Sequence, residues 1–205
     1  MEPLDVRDRE PYDVDQLRLD DTYRSDIEKI LVSRGEIEDR VARIAEAVSN
    51  EYRDRPQGEF YPVCVLKGAI RFFVDLLREL DLDGPYSEGV VNASRYGTGP
   101  VSETAEVSFP RSEAIAGKHV LLVEDIIDEG YTLATILDRI EEYDPRSVEV
   151  AALFDKAPCR EVTVDPAFTG FIIPDEFVVG YGLDCAERYR DFRHLGVLDG
   201  NAVEE

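Results

Sequence analysis

The stretch VLLVEDIIDEGYT, residues 120–132, decides the fold. Its first four residues are apolar, as in a strand that is buried on both faces. From Leu133 onward the apolar residues recur at helical spacing. A tight strand-to-helix connection is therefore predicted here, and it contains four acidic residues, Glu124, Asp125, Asp128 and Glu129.

Segments of the same two kinds alternate along the rest of the chain. Strands are predicted at FYPVCVLKG, GVVNASRY, KHVLLVED and SVEVAALFD, with shorter β-type segments at FTGFIIP and FVVGYGLD. Helices are predicted at SRGEIEDRVARIAEAVSNEY, AIRFFVDLLREL and YTLATILDRIEEY, and Ser33 with Glu36 forms a capping box at the start of the first. This alternation predicts an α/β fold with a mainly parallel, twisted sheet flanked by helices.

The length and composition indicate one domain with a short extension. The chain has 205 residues, 43% of them hydrophobic, which is enough for a substantial core. Residues 1–22 are charged and aperiodic, and they are predicted to form a loose acidic arm. Residues 23–205 are predicted to form a single domain.

The charge and the cysteines restrict the function classes. A net charge of −22 argues against nucleic acid binding, which needs basic patches that displace counterions. No apolar run is long enough for a membrane span, and the first ten residues do not resemble a signal peptide. The three cysteines lack metal-type spacing and indicate a reducing, cytoplasmic setting. An acidic, lysine-poor surface is typical of proteins that work in high salt, although an ordinary acidic enzyme remains an alternative.

The acidic connection has the properties of a phosphate and diol site. The N–H groups at the start of a helix attract phosphate, Gly130 allows a close approach, and the Thr132 hydroxyl is a further donor. Glu124 and Asp125 would face the same crevice, where carboxylates can accept hydrogen bonds from vicinal hydroxyls or bind Mg²⁺. Two alternatives remain open: Asp128 could simply cap the helix, or the segment could be the acidic pocket of a phospho-receiver domain, although that pocket lies near the start of its domain.

Four segments, in order along the chain, resemble the type I phosphoribosyltransferases. The stretch VLLVEDIIDEGYT is similar to their phosphoribosyl-pyrophosphate signature, in the variant of the hypoxanthine–guanine subfamily. The segments VCVLKGAIRFFVDLLREL, ALFDKAPCR and PDEFVVGYGLDCAERYRDF are similar to the other three. The resemblance runs from about residue 30 to residue 198. It implies the type I fold with a small hood region, contributed by N-terminal residues and by residues 168–205.

The resemblance implies roles for the residues around the phosphate. Glu124 and Asp125 would hold the ribose hydroxyls, and Asp128 would face the purine N7 as the general base. The 5′-phosphate would lie on the backbone amides and the hydroxyl group of the following residues, Glu129, Gly130, Tyr131 and Thr132.

Further roles concern the pyrophosphate, the metal and the base. Lys67-Gly68 corresponds to a pyrophosphate-side turn that has an unusual cis peptide in this family, and Arg190 to a second pyrophosphate contact. Asp184 corresponds to a ligand of Mg²⁺, the expected cofactor. For the purine, Lys156 would donate to the 6-oxo group, Phe177 would stack on the ring, and the backbone of Val178 would read its edge.

The chain departs from the family pattern at two positions. Glu129 stands where threonine is usual, so its side-chain direction bears on phosphate affinity. Arg95 stands where serine is usual, beside Tyr96, which is predicted to belong to a lid that excludes water. The roles of Glu129 and Arg95 are left open.

The implied reaction is purine salvage. The enzyme would transfer 5-phosphoribosyl from phosphoribosyl pyrophosphate to N9 of hypoxanthine or guanine, giving IMP or GMP and pyrophosphate. The alternatives are a transferase that prefers xanthine or another 6-oxopurine, and a nucleotide-binding regulator of the same fold with little turnover. A homo-oligomer, dimer or tetramer, is implied by the family, with no nucleic acid or membrane partner.

Overall fold

The computed structural model describes residues 1–17, 19–56, 58–95, 105–109, 111–200 and 202. The strands are β1 (Leu4–Asp5), β2 (Ile27–Val32), β3 (Phe60–Leu66), β4 (Gly89–Arg95), β5 (Ala105–Ser108), β6 (His119–Ile127), β7 (Ser147–Asp155), β8 (Phe168–Ile172), β9 (Val178–Val179) and β10 (Leu195–Leu198). The α-helices are α1 (Asp21–Arg24), α2 (Arg34–Tyr52), α3 (Ile70–Glu79) and α4 (Tyr131–Glu141). Short 3-10 helices lie at Val14–Gln16, Ser112–Ala114 and Ala157–Cys159.

The main sheet has seven strands in the order β1-β8-β7-β6-β3-β4-β5. All neighbours pair in parallel except β4 and β5. The chain passes from β3 through α3 to β4 on one side, and from β6 through α4 to β7 on the other. Because the direction reverses between β3 and β6, the crevice beyond the carboxyl ends of these two strands is where such sheets bind ligands.

The core surrounds the central strand β6. Its residues Val120, Leu121, Leu122 and Val123 have no measurable exposure, which fits a strand covered on both faces. Right-handed crossovers in opposite directions place α3 and α4 on opposite faces of the sheet. The predicted capping box of α2 is present: Ser33 accepts from the Glu36 N–H, and the Glu36 carboxylate accepts from the Ser33 N–H.

A small antiparallel sheet, the hood, has the order β2-β10-β9. It has its own apolar cluster, which includes Ile27, Ile30, Phe192 and Leu198. The predicted α/β fold with a hood is therefore confirmed. The predicted hood boundary at residue 168 is wrong, because β8 pairs with β7 and belongs to the main sheet.

The first 22 residues are not the loose arm that the sequence predicts. Strand β1 pairs in parallel with β8 at the sheet edge, and the following Val6 is buried. Tyr12 forms an antiparallel bridge with Ile30 and packs on the hood cluster. Single apolar residues among charged ones anchor this segment. Because these residues are isolated, no periodic pattern in the sequence predicts that they are buried.

No helix in the described part of the chain is long and apolar enough to cross a membrane.

Candidate active site

Two buried carboxylates lie at the carboxyl end of β6. Glu124 and Asp125 are 9% and 8% exposed. Asp125 Oδ1 accepts a hydrogen bond of 2.9 Å from the Ile126 N–H, whereas Glu124 Oε2 has no hydrogen-bond partner among the described residues. Burial raises the pKa of Glu124 well above its usual value, and the Asp125 charge adds to this. A buried acceptor without a donor fits a site that a hydroxyl or a hydrated cation completes.

The pKa of Asp125 reflects the groups that converge on it. Burial raises this pKa to about 6, against the lowering effects of backbone N–H groups and of Arg190, and Asp184 raises it further. Arg190 and Asp184 come from the loop after β9, so that loop and the end of β6 share one electrostatic environment. The structure therefore brings the predicted ribose, pyrophosphate and metal residues together.

The turn after β3 packs directly against Asp125. The Leu66–Lys67 peptide is cis, as the resemblance implies for this turn. A Cβ atom on Gly68 would lie 1.6 Å from Asp125 Oδ2. Only glycine at this position therefore avoids a clash with the Asp125 carboxylate. Lys67 points outward, with 61% of its side chain exposed, and its Nζ lies 3.1 Å from Glu187 Oε2.

Arg190 is held by the loop that carries it. Its Nη1 donates to the Gly182 carbonyl oxygen at 2.8 Å, and its Nη2 lies 2.8 Å from Asp184 Oδ1. Its Nε is buried without a partner among the described residues. A guanidinium fork that is positioned in this way and has a spare donor suits a phosphate-type anion.

The start of α4 lies where the sequence predicts the phosphate cradle. The helix begins at Tyr131, the first residue of the segment predicted as a helix, and its N-cap is Gly130 at φ 98°. No side chain caps this end, so the alternative that Asp128 serves as the helix cap is wrong. The N–H groups of the first turn, which includes Thr132, have no partner within the helix and are available to an anion.

The loop between β7 and β8 holds this connection through the backbone of Glu129. The Glu129 carbonyl accepts from the N–H groups of Glu161 and Val162, at 2.9 and 3.1 Å. The Tyr131 hydroxyl donates to Glu161 Oε2, and this bond, together with the Glu129 charge, raises the pKa of Tyr131. The Glu129 backbone therefore anchors the connection, and the Glu129 charge acts on Tyr131.

Of the predicted purine residues, Lys156 lies next to Asp128. Lys156 is 7% exposed, and its Nζ lies 3.1 Å from Asp128 Oδ2. The Phe177 ring is 52% exposed, which is unusual for a large apolar side chain and suits stacking on a flat ligand. Val178 is buried in β9, with its backbone paired to Val197.

Sequence reasoning missed several residues at the site. Asp175 Oδ1 lies 3.8 Å from Lys156 Nζ, and Arg160 forms an ion pair with Asp155. Glu187 lies between the two predicted pyrophosphate cations. Asp175 and Glu187 lie within segments that resemble the family, so the sequence shows that charged residues stand there. Their contacts depend on the geometry of the loops, which the spacing of residues in the sequence does not predict.

One cluster has metal-type ligands outside the predicted metal site. Within the described residues, one oxygen each of Asp128 and Asp175 and the Cys159 sulfur lie within 4.8 Å of one another. The Lys156 ammonium already supplies positive charge to both carboxylates. Burial and a hydrogen bond to Asp175 raise the pKa of Cys159, which disfavours the thiolate that a metal would need.

The predicted lid falls outside the described residues. Tyr96 is not among them, and Arg95 is described only through its backbone, as the last residue of β4.

Comparisons with known proteins agree with this arrangement. Residues 33–186 match the family model described as the phosphoribosyl transferase domain. The chain is 37% identical to the human hypoxanthine-guanine phosphoribosyltransferase, over 94% of this chain and 91% of that protein. It is 38% identical to the bifunctional protein TilS/HprT of Listeria innocua over 90% of this chain, and spans 28% of the length of that protein.

Solved structures agree as well. A hypoxanthine phosphoribosyltransferase from Staphylococcus aureus superposes with a TM-score of 0.80 at 29% identity, covering 90% of this chain and 98% of that one. A hypoxanthine-guanine phosphoribosyltransferase from Bacillus anthracis gives 0.74 at 32% identity, covering 84% and 98%. The chain therefore belongs to the phosphoribosyltransferase family and, within it, to the hypoxanthine-guanine group.

Proposed function

We propose that this protein transfers 5-phosphoribosyl from phosphoribosyl pyrophosphate to N9 of hypoxanthine or guanine, giving IMP or GMP and pyrophosphate. The observation that carries this proposal is the Lys156–Asp128 pair at the edge of the phosphate cradle. The buried Lys156 ammonium can donate to a 6-oxo group, while the half-exposed Asp128 carboxylate can accept a proton from the same purine ring.

The substrate sugar and its phosphate lie along the crevice in this proposal. The amides at the start of α4, with the Thr132 hydroxyl, hold the 5′-phosphate. Glu124 and Asp125 accept hydrogen bonds from the ribose hydroxyls, and the free Oε2 of Glu124 gains a partner in this way. Both carboxylates then hold the sugar while its anomeric carbon develops positive charge.

The base and the leaving group lie on either side of the sugar. Lys156 donates to the 6-oxo group, which discriminates against the amino group of adenine. Phe177 stacks on the ring, and the Val178 backbone reads its edge. Asp128 faces N7 as the general base. On the opposite side, Lys67 and Arg190 bind the departing pyrophosphate.

The carboxylates around Asp125 fit Mg²⁺. This ion binds one or two carboxylates and keeps several waters together with substrate phosphates, so it does not need a complete protein cage. Asp184, whose charge raises the pKa of Asp125, provides one carboxylate ligand of this kind. The Glu124 oxygen that has no hydrogen-bond partner among the described residues provides another. When bound, the ion would neutralise charge on the pyrophosphate group.

Initial rates test the proposed function. Phosphoribosyl pyrophosphate and Mg²⁺ are supplied with hypoxanthine, guanine, xanthine or adenine, at low and high KCl. Turnover with hypoxanthine and guanine is expected. A clear preference for xanthine would support the alternative transferase, adenine as the best substrate would overturn the assignment of Lys156, and no turnover with any base would favour the nucleotide-binding regulator.

The assembly and the cellular setting are further proposals. The family resemblance supports a homo-oligomer, either a dimer or a tetramer, which light scattering would distinguish. Three unpaired cysteines, Cys64, Cys159 and Cys185, are compatible with a reducing, cytoplasmic setting.

A further inference from the structure

The Glu187 carboxylate bridges the two cations that we assign to the pyrophosphate. Its Oε2 lies 3.1 Å from Lys67 Nζ, and its Oε1 lies 3.5 Å from Arg190 Nη2. Lys67 follows β3 and Arg190 follows β9, so this one carboxylate connects two separate loops. Each of its oxygens faces a different cation, as the oxygens of a bound anion would.

The local backbone fixes Glu187 in this place. Ala186 and Glu187 have φ angles of 51° and 64°, in the left-handed region that residues other than glycine rarely adopt. The Glu187 N–H also donates to Asp184 Oδ2 at 2.9 Å. The side chain is therefore presented to the cations by a defined turn, although 66% of it remains exposed.

The same two cations cannot serve Glu187 and a diphosphate equally well. Lys67 has no other carboxylate partner among the described residues, and Arg190 already shares Nη2 with Asp184 at 2.8 Å. A diphosphate that reaches both cations must therefore displace the Glu187 carboxylate or accept its repulsion. Exposed ion pairs of this kind are weak, so the displacement would reduce the affinity of the ligand by no more than about fivefold.

We propose that Glu187 is a placeholder for the pyrophosphate group: it holds Lys67 and Arg190 when the site is empty, yields them to the substrate, and takes them back when pyrophosphate leaves. This inference rests on the proposed function, because the roles of the two cations come from it. Glu187 thereby weakens the binding of both phosphoribosyl pyrophosphate and free pyrophosphate.

The test is the variant Glu187→Gln, which keeps the size of the side chain and removes its charge. Calorimetric titration of the full chain with pyrophosphate in the presence of Mg²⁺ should give about two- to fivefold tighter binding than the unmodified protein. The KM for phosphoribosyl pyrophosphate should fall by a similar factor. A matched control is Glu142→Gln, which removes a carboxylate that is 54% exposed from an ion pair with Arg139 at the end of α4 and should leave both values unchanged.

The salt dependence separates competition between charges from a structural effect. At 1 M KCl the Debye length is about 3 Å, similar to the separations in these ion pairs, so the difference between Glu187→Gln and the unmodified protein should become smaller. A difference that does not decrease at molar salt, or a variant that binds pyrophosphate equally or more weakly at low salt, would overturn the placeholder role. Absence of pyrophosphate binding by the unmodified protein would overturn it as well.

The two proposals fail in different ways. If the unmodified protein turns over a 6-oxopurine but Glu187→Gln binds pyrophosphate no more tightly, only the inference about Glu187 is wrong. If no base is turned over, the proposed function is wrong, whatever the titration gives.

Discussion

The contact between Gly68 and Asp125 makes the substitution Gly68→Ala a direct test of the site. The added methyl carbon would lie 1.6 Å from Asp125 Oδ2 and 2.7 Å from its Cγ. Ordinary contact needs about 3.5 Å, so the carboxylate would have to retreat by about 2 Å. Asp125 is buried, and its other oxygen is held by the Ile126 N–H, so it cannot move without leaving its position toward the ribose.

The size of the effect follows from that displacement. A misplacement of 1 Å in a positioning group can reduce the rate about 10²-fold. The displacement needed here is larger, so kcat/KM for phosphoribosyl pyrophosphate should fall by about 10²-fold or more. Overpacking of a buried contact should also lower the free energy of unfolding by about 1–3 kcal/mol.

Initial rates at varied phosphoribosyl pyrophosphate, together with urea unfolding, measure both effects. The control is Gly35→Ala in α2, where a Cβ atom would meet nothing within 4 Å. That variant should keep full activity. If kcat/KM of Gly68→Ala stayed within about threefold of the unmodified protein, the assignment of Asp125 to the ribose would be refuted.

Four further predictions concern chemistry and stability. Asp128→Asn should lower kcat about 10²–10⁴-fold, and an unchanged kcat would reject its role as the base. Lys156→Ala should reduce the preference for hypoxanthine over adenine, and an equal loss with both bases would contradict its contact with the 6-oxo group. Arg40→Met should lower the free energy of unfolding in urea by about 1–3 kcal/mol, because buried Arg40 donates to the carbonyl oxygens of Thr169 and Gly170, and an unchanged midpoint would show that these bonds contribute nothing. Because 45 acidic residues repel one another, the thermal midpoint should rise from low to molar KCl, whereas equal midpoints would reject adaptation to high salt.

The central part of the fold could be predicted from the sequence because its signals are local. The apolar run of β6, the helical spacing of α4 and the Ser33–Glu36 capping box each lie within a few residues of one another. The phosphate and diol site that the sequence predicts at the end of β6 rests on the acids and Gly130 in the same short stretch. The proximity of Asp128 and Lys156 followed because both residues come directly after neighbouring parallel strands.

The remaining features depend on contacts between distant segments or on unusual backbone angles. The place of Glu187 depends on left-handed φ angles at Ala186 and Glu187, and neither residue type signals such an angle. The packing of the N-terminal segment depends on isolated apolar residues such as Val6 and Tyr12, and on the contact of Arg40 with the Glu2 carbonyl. A single apolar residue among charges cannot be distinguished from a solvated segment without the rest of the fold.

The position of β1 has a consequence for how this protein avoids self-association. Without β1, the strand β8, with the sequence FTGFI, would form the edge of the sheet and offer unpaired backbone groups to another molecule. With β1 in place, the edge strand has only two residues, one of them Asp5, and the Val6 N–H donates to the Ile172 carbonyl. A short, charged edge is a poor template for further strands, so the first six residues protect this border of the sheet from pairing with another molecule.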